Sequence, residues 1–275
     1  MMTDKTRKNW LLDIVMLPVG VITFFPFYLI IVNTLKTPVE TARNPLSLPT
    51  KLNFDNYERV FTEVPLLQSF GNSLIITVIS VLLMVLIGAM AAYPIVFNPG
   101  KTNRIIMGYL LAGFLIPFQT TLIPLFELMT QFNLVDKLYG IMFIYMGGSV
   151  FVFFLMMGYM KTVPKELSEA ATIDGCTVWG IFWRIIFPLL KPITVTAIIY
   201  QTMWVWNDFL APMLFLNSSD NATLVLQVYK AKGEFAVDWP LFMTLTVIVL
   251  IPIFIFFILM QKQIVKGIVG GAVKG

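Results

Sequence analysis

The chain has 275 residues, 58% of them hydrophobic and only 12% charged, with a mean hydropathy of +0.83 and a net charge of +4. A water-soluble chain carries about a quarter charged residues, so the composition is that of an integral membrane protein. One cysteine and no histidine exclude a disulfide scaffold, a Cys/His zinc site and a Ser-His-Asp triad, and the positive residues sit beside apolar runs, which gives no nucleic-acid signature.

A helix needs about 20 mostly apolar residues to cross the hydrocarbon. Six segments qualify: 11–35, 70–97, 105–128, 138–160, 193–216 and 240–260. Most contain proline, at Pro26, Pro94, Pro117, Pro124, Pro212 and Pro252, where neighbouring helices and hydroxyls can satisfy the freed carbonyls. Lys5, Arg7 and Lys8 precede the first run as in a secretory leader, but the run is too long and lacks an A-x-A-like cleavage site, so it reads as an uncleaved span. With the N-terminus inside, 12 of the 19 Lys and Arg fall on cytoplasmic segments and 7 outside, the bias expected of a membrane protein. The predicted fold is an all-α polytopic membrane protein with six transmembrane helices and both termini cytoplasmic. Residues 1–10 form the cytoplasmic N-terminus, 11–262 the six-span domain and 263–275 a cytoplasmic tail.

The first outer loop, about 36–68, carries repeated X-Pro steps that argue for turns. Phe54, Tyr57, Val60 and Phe61 are spaced for one face of a short amphipathic helix, either packed on the spans or forming a docking surface. In the second span, Gly88 and Ala92 make a small-xxx-small step that suits close intrachain packing. Gly100-Lys101-Thr102 imitates the end of a phosphate-binding loop, but Ile95 stands where that loop needs glycine, which removes ATP binding by this chain. Glu127, near the end of the third span, is placed to snorkel to the interface.

Residues 161–192 interrupt the apolar pattern with charges of both signs. Pro164 suits a first helical turn, 165–173 reads as a short helix, and Gly175 can end it in the left-handed conformation. A second helix over 178–187 closes at Pro188. Ala170 and Ala171 offer a shallow face, with Glu169 and Asp174 at its rim, and the whole reads as a helix-turn-helix knob for docking. Further on, Gln201, Trp204 and Asp208 share a face with Ala197 and Ala211, and Asp208 lies roughly 12 Å inside the fifth span at 1.5 Å per residue. A carboxylate there faces the bundle or a water-filled cavity. It fits either a sugar pathway or a structural aspartate, capped or hydrogen-bonded at a helix break and helped by Asn207 and Pro212. Asn217 and Asn221 begin N-x-[ST] triplets, most plainly read as polar turns.

The run Glu169-Ala170-Ala171, then Gly175, Ile185 and Pro188 at the appropriate spacings, resembles the EAA motif of ABC importer permeases, with Phe187 where leucine is usual. The string EAATIDG, the segment Trp206-Asn207-Asp208-Phe209 before Pro212, and the ending Val273-Lys274-Gly275 look like the carbohydrate-uptake branch, of the maltose-transporter type and its smaller six-span permease subunit. That resemblance implies a multi-pass subunit in a bacterial cell (cytoplasmic, inner) membrane, paired with a second homologous permease. Two cytoplasmic ATPases would carry ATP and Mg, and an extracytoplasmic sugar-binding protein would deliver the sugar. No cofactor or metal would be bound by this chain, and no catalytic residue is expected. Glu169, Ala170, Ala171, Asp174, Gly175, Ile185 and Pro188 would couple to an ATPase. Gly271, Lys274 and Gly275 in the tail would reach between the ATPases. Gln201, Trp204, Asn207 and Asp208 are the candidate substrate pathway. A permease for another solute, such as a polyamine or phosphate, and an intramembrane enzyme or channel are the competing readings.

Overall fold

The computed structural model describes residues 4–234 and 238–272, with side chains described at 10, 12–231 and 238–263. The backbone is helical nearly throughout: α1 Asp4–Thr34, α2 Pro38–Arg43, α3 Asp55–Glu63, α4 Leu66–Phe97 and α5 Lys101–Phe114. Then come α6 Leu122–Gln131, α7 Leu138–Tyr145, α8 Ser149–Met160, α9 Glu166–Ile173, α10 Val178–Ile181 and α11 Phe187–Leu189. Last are α12 Lys191–Asn207, α13 Leu210–Phe215, α14 Leu224–Glu234 and α15 Trp239–Ala272. Among the described residues, four stretches are long and apolar enough to cross a membrane alone: Leu12–Thr34, Leu66–Phe97, Leu138–Met160 and Trp239–Gln263.

Two of the expected spans are not single straight helices. The 105–128 stretch breaks at residues 115–117, where Lys101–Phe114 and Phe118–Gln131 meet at 91°. Pro117 lacks the N–H that would continue the ladder, and a 3₁₀ turn at Phe118–Thr121 restarts the chain. The 193–216 stretch ends its main helix at Asn207 and resumes as α13. Its start is also bent, since Val178–Leu189 and Lys191–Asn207 meet at 76°, with Pro192 in the first turn of α12 where its missing N–H is harmless. Pro94 and Pro252, by contrast, lie inside unbroken helices.

Two compact units emerge. The first comprises Met1–Leu66 and Gln227–Pro252. Every described side chain of α1 from Leu12 to Phe27 is exposed, so this helix takes no packing from its own chain there. Beyond it, the loop folds on polar ties. The buried Asn33 amide donates to Leu29 O and Pro45 O at 2.8 and 2.9 Å. The Lys36 ammonium, fully buried, donates to Asn44 O at 3.0 Å and Pro45 O at 3.3 Å. In α3, buried Asn56 donates to Thr34 O and Lys36 O at 2.8 and 2.9 Å, and the Tyr57 hydroxyl meets Thr34 Oγ1 at 2.9 Å. The expected apolar face of this helix is therefore corrected: Asn56 and Val60 point inward, while Phe54 and Phe61 are exposed. Hydrogen-bonding demand at the end of α1, where carbonyls are left over, outweighs burial of the two phenylalanines. Arg59 bridges Asp238 at 2.6 Å and Glu63 at 3.1 Å, and those two bonds, Asp238 first, raise the Arg59 pKa.

The second unit comprises Leu67–Leu226 and Ile253–Gly275 and holds the main apolar core. Ala89 and Ala92 of α4 are fully buried, and a Cβ added at Gly88 would stand 2.8 Å from the Phe153 backbone nitrogen. The small residues thus let α4 and α8 approach closely, as their spacing predicts. One end of this unit is laced by loops. Asp136, at φ 58°, accepts from Asn217 N, Ser218 N and Ser218 Oγ at 2.9–3.1 Å. Asn221 donates to Asp136 O at 2.8 Å, so both predicted polar turns are ordered by this aspartate. Burial works against the Asp136 charge, but donors from Ser218, Asn221 and Asn217 outweigh it and hold its pKa below the ordinary value.

Candidate functional site

Two groups of residues stand out, the loop knob and the stripe on α12. The knob begins one residue later than predicted, with Lys165 capping α9 and Pro164 lying just before it. Helix α9 then ends in a Schellman arrangement: Cys176 N donates to Ala171 O at 2.9 Å and Gly175 N to Thr172 O at 3.1 Å. Gly175 has φ +81° with nothing within 4 Å of a built Cβ, so the requirement for glycine is one of backbone conformation rather than space. Thr177 starts the next helix, its hydroxyl accepting from Gly180 N at 3.2 Å.

The two alanines do not share a face. Ala171 is buried in the core cluster, whereas Ala170 is exposed with Glu169, Asp174 and Gly175. The outer surface is apolar instead: Ile173 is 87% exposed, Val178 66% and Trp179 59%. The second helix also differs from expectation. It is α-helical only to Ile181, widens into a π segment at Phe182–Ile186, and continues through Pro188 to Leu189. Pro188 therefore lies inside a continuous helix just after the π segment, and it does not close the helix. Ile185 is half-buried and Pro188 exposed. Phe182 anchors the π segment against Tyr93 of α4 (ring centroids 5.5 Å) and Trp183 (4.9 Å).

On α12, Gln201 is buried and donates through Nε2 to Gly148 O at 3.0 Å. Asn207 donates to Met203 O at 2.7 Å within its own helix. Asp208 lies at the break before α13 and accepts from Leu210 N at 3.0 Å, Ala211 N at 3.3 Å and the Tyr145 hydroxyl at 2.8 Å. This is the capping arrangement of a helix N-terminus, and it uses the carboxylate within the chain. Trp204 is half-exposed and packs edge-on against Tyr145, ring centroids 5.3 Å apart at 70°. Sequence reasoning missed Tyr145, which is buried and lies 63 residues from its partner Asp208; no local pattern connects them. It also missed Tyr200, exposed one turn before Trp204, where the i, i+4 spacing was available as a signal. In the tail, the backbone of Gly271 is helical, while Lys274 and Gly275 lie outside the described residues.

Long apolar helices and two bent pairs define a polytopic membrane protein. The chain belongs to the family described as binding-protein-dependent transport system inner membrane component, which matches residues 84–270. It is thus a transport subunit and not an enzyme. A probable starch degradation products transport system permease protein, AmyC of Thermoanaerobacterium thermosulfurigenes, is 38% identical over 97% of both chains. A melibiose/raffinose/stachyose import permease protein, MelC of Bacillus subtilis, is 31% identical over the full length of both. A multiple sugar-binding transport system permease protein, MsmG of Streptococcus mutans, is 32% identical over 99% of this chain and 100% of its own. A chain in the crystal structure of a bacterial ABC transporter involved in alginate import superposes with a TM-score of 0.79 over 95% of this chain and 98% of that one. At 22% identity, that match speaks for the fold.

Proposed function

We propose that this chain is the permease subunit of an ATP-driven bacterial importer that carries a sugar or oligosaccharide across the inner membrane by alternating access. Six segments cross, namely the four long helices together with α5–α6 and α12–α13, and both termini lie in the cytoplasm with the knob. A second homologous permease completes the pathway. Two ATPases hold ATP and Mg, and an extracytoplasmic binding protein delivers the sugar. Nucleotide binding closes the ATPases and moves the knob as a lever, which biases the pair between inward- and outward-facing states. Support for sugar comes from relatives whose names specify starch products, raffinose-type and multiple sugars along the whole chain.

The observation that carries the coupling is the capped knob, whose backbone is fixed by Gly175 and whose exposed face is Ile173, Val178 and Trp179. An exposed apolar surface on a rigid arm fits a partner groove. Cys176 is the sole cysteine, exposed and next to the turn glycine, so it reports on this contact. In membranes holding the assembled importer, maleimide labelling of Cys176 is expected to be blocked, and stripping the ATPases restores it. Equal labelling in both states rejects the coupling assignment. ATPase stimulation by the binding protein loaded with oligosaccharides, but not with polyamine or phosphate, tests the solute.

A further inference from the structure

Of the predicted pathway residues, the structure uses most for holding the bundle together. Gln201 ties α12 to the Gly148 carbonyl, Asp208 is filled by three donors, and the Asn207 amide N–H bonds back along its helix. What remains open is a stripe on one side of α12: Tyr200, Trp204 and Asn207, spaced i, i+4, i+7, all exposed. The Tyr200 hydroxyl and the Trp204 indole N–H have no hydrogen-bond partner among the described residues. Trp204 lies 13 residues from the start of α12, about 20 Å along it at 1.5 Å per residue, so it stands deep within the crossing segment.

A lipid-facing surface does not suit these groups, because polar side chains at that depth face the bundle or a water-filled cavity. We propose that Tyr200, Trp204 and Asn207 form a sugar-contacting stripe on this subunit, with the Trp204 indole as the stacking platform for a pyranose ring. The proposal rests on the sugar-permease reading above. A sugar ring offers C–H faces to stack on an indole and hydroxyls at its edge, which match the phenol, the indole N–H and the amide oxygen. An uncharged stripe fits a neutral sugar better than a polyamine or a phosphate.

Tyr145 is the positioning residue. Its ring packs against the indole at 70°, centroids 5.3 Å apart, and its hydroxyl is locked on Asp208, so Trp204 loses little side-chain freedom when a sugar arrives. Sequence periodicity puts Trp204 on one face with Gln201 and Asp208 and leaves Asp208 open between a pathway and a structural role; their hydrogen bonds fit the structural role for Gln201 and Asp208.

The test uses the complete importer in proteoliposomes with its binding protein, and maltotriose and raffinose as probes. Trp204→Leu is expected to lower uptake roughly tenfold, the scale of losing one aromatic contact, while the permease pair and ATPases still co-purify. Trp204→Phe restores most of the uptake. Tyr200→Phe, which removes a single exposed hydroxyl and leaves the packing intact, raises the apparent KM without lowering the maximal rate. Wild-type uptake of either sugar combined with normal kinetics in both Trp204→Leu and Tyr200→Phe overturns the stripe alone. Loss of co-purification in Trp204→Leu, with unchanged Tyr200→Phe kinetics, also overturns it and makes the stripe a subunit interface. Uptake of a polyamine or phosphate and of neither sugar by the wild-type importer overturns the sugar reading and the stripe with it.

Discussion

The loop after α1 and the knob before α12 are both polar stretches between apolar helices, yet they are held in opposite ways. In the loop, side chains reach far along the chain: Asn56 to Thr34 and Lys36, Tyr28 to Leu46, Arg59 to Asp238. In the knob, the described hydrogen bonds of residues 164–190 join residues no more than five apart, mostly backbone to backbone. The loop is thus a small polar core whose shape depends on particular side chains. The knob is a local backbone motif that leaves its surface free to contact another molecule. A segment built this way can move as a lever without losing its own hydrogen bonds.

The comparison predicts where each region breaks. The largest effect is expected from Gly175→Val. A left-handed residue with a Cβ costs about 1–2 kcal/mol, more if β-branched, and no neighbour is close enough to compensate. Sugar uptake should fall far more than the accompanying drop in melting temperature of the purified permease accounts for, and Gly175→Asn should keep most uptake because Asn tolerates that conformation. Normal coupling in Gly175→Val would mean the turn is not part of the lever.

Asn56→Ala should do the reverse. It strips a buried donor from two carbonyls at the end of α1, a loss of about 1–3 kcal/mol. The expected result is a clear drop in melting temperature with unchanged protection of Cys176 from maleimide. A melting temperature within error of wild type would show that the loop does not depend on this side chain.

How much of this was legible in the sequence follows the same division. The knob could be read because its signals are local: Gly175 marks the turn, and its φ of +81° is the conformation that glycine supplies. The apolar runs marked the long helices for the same reason. The π segment at Phe182–Ile186 was not legible, since one extra residue in a turn leaves no compositional trace. The Tyr145–Asp208 bond and the buried Lys36 depend on residues brought together by the fold. Asp208 showed that a charge so deep needs partners, but not that a helix break and a distant tyrosine supply them. The inward turn of Asn56 was hidden because apolar periodicity counts phenylalanines, not stranded carbonyls.

The smallest effect should come from Arg59→Ala. Arg59 joins α3 to Asp238 at 2.6 Å, over a sequence distance of 179 residues, which makes it look like the main clasp of the loop. Its side chain is 39% exposed, however, and water and salt screen such pairs to about 0–1 kcal/mol. Asp238 also keeps its other task without Arg59, accepting from Leu241 N at 3.2 Å at the start of α15. The variant should therefore melt close to wild type, with a difference that shrinks further in high salt. A shift as large as that of Asn56→Ala, persisting in salt, would show that the ion pair rather than the buried amides holds the loop, and the contrast between a polar core and a local motif would have to be redrawn around that charge.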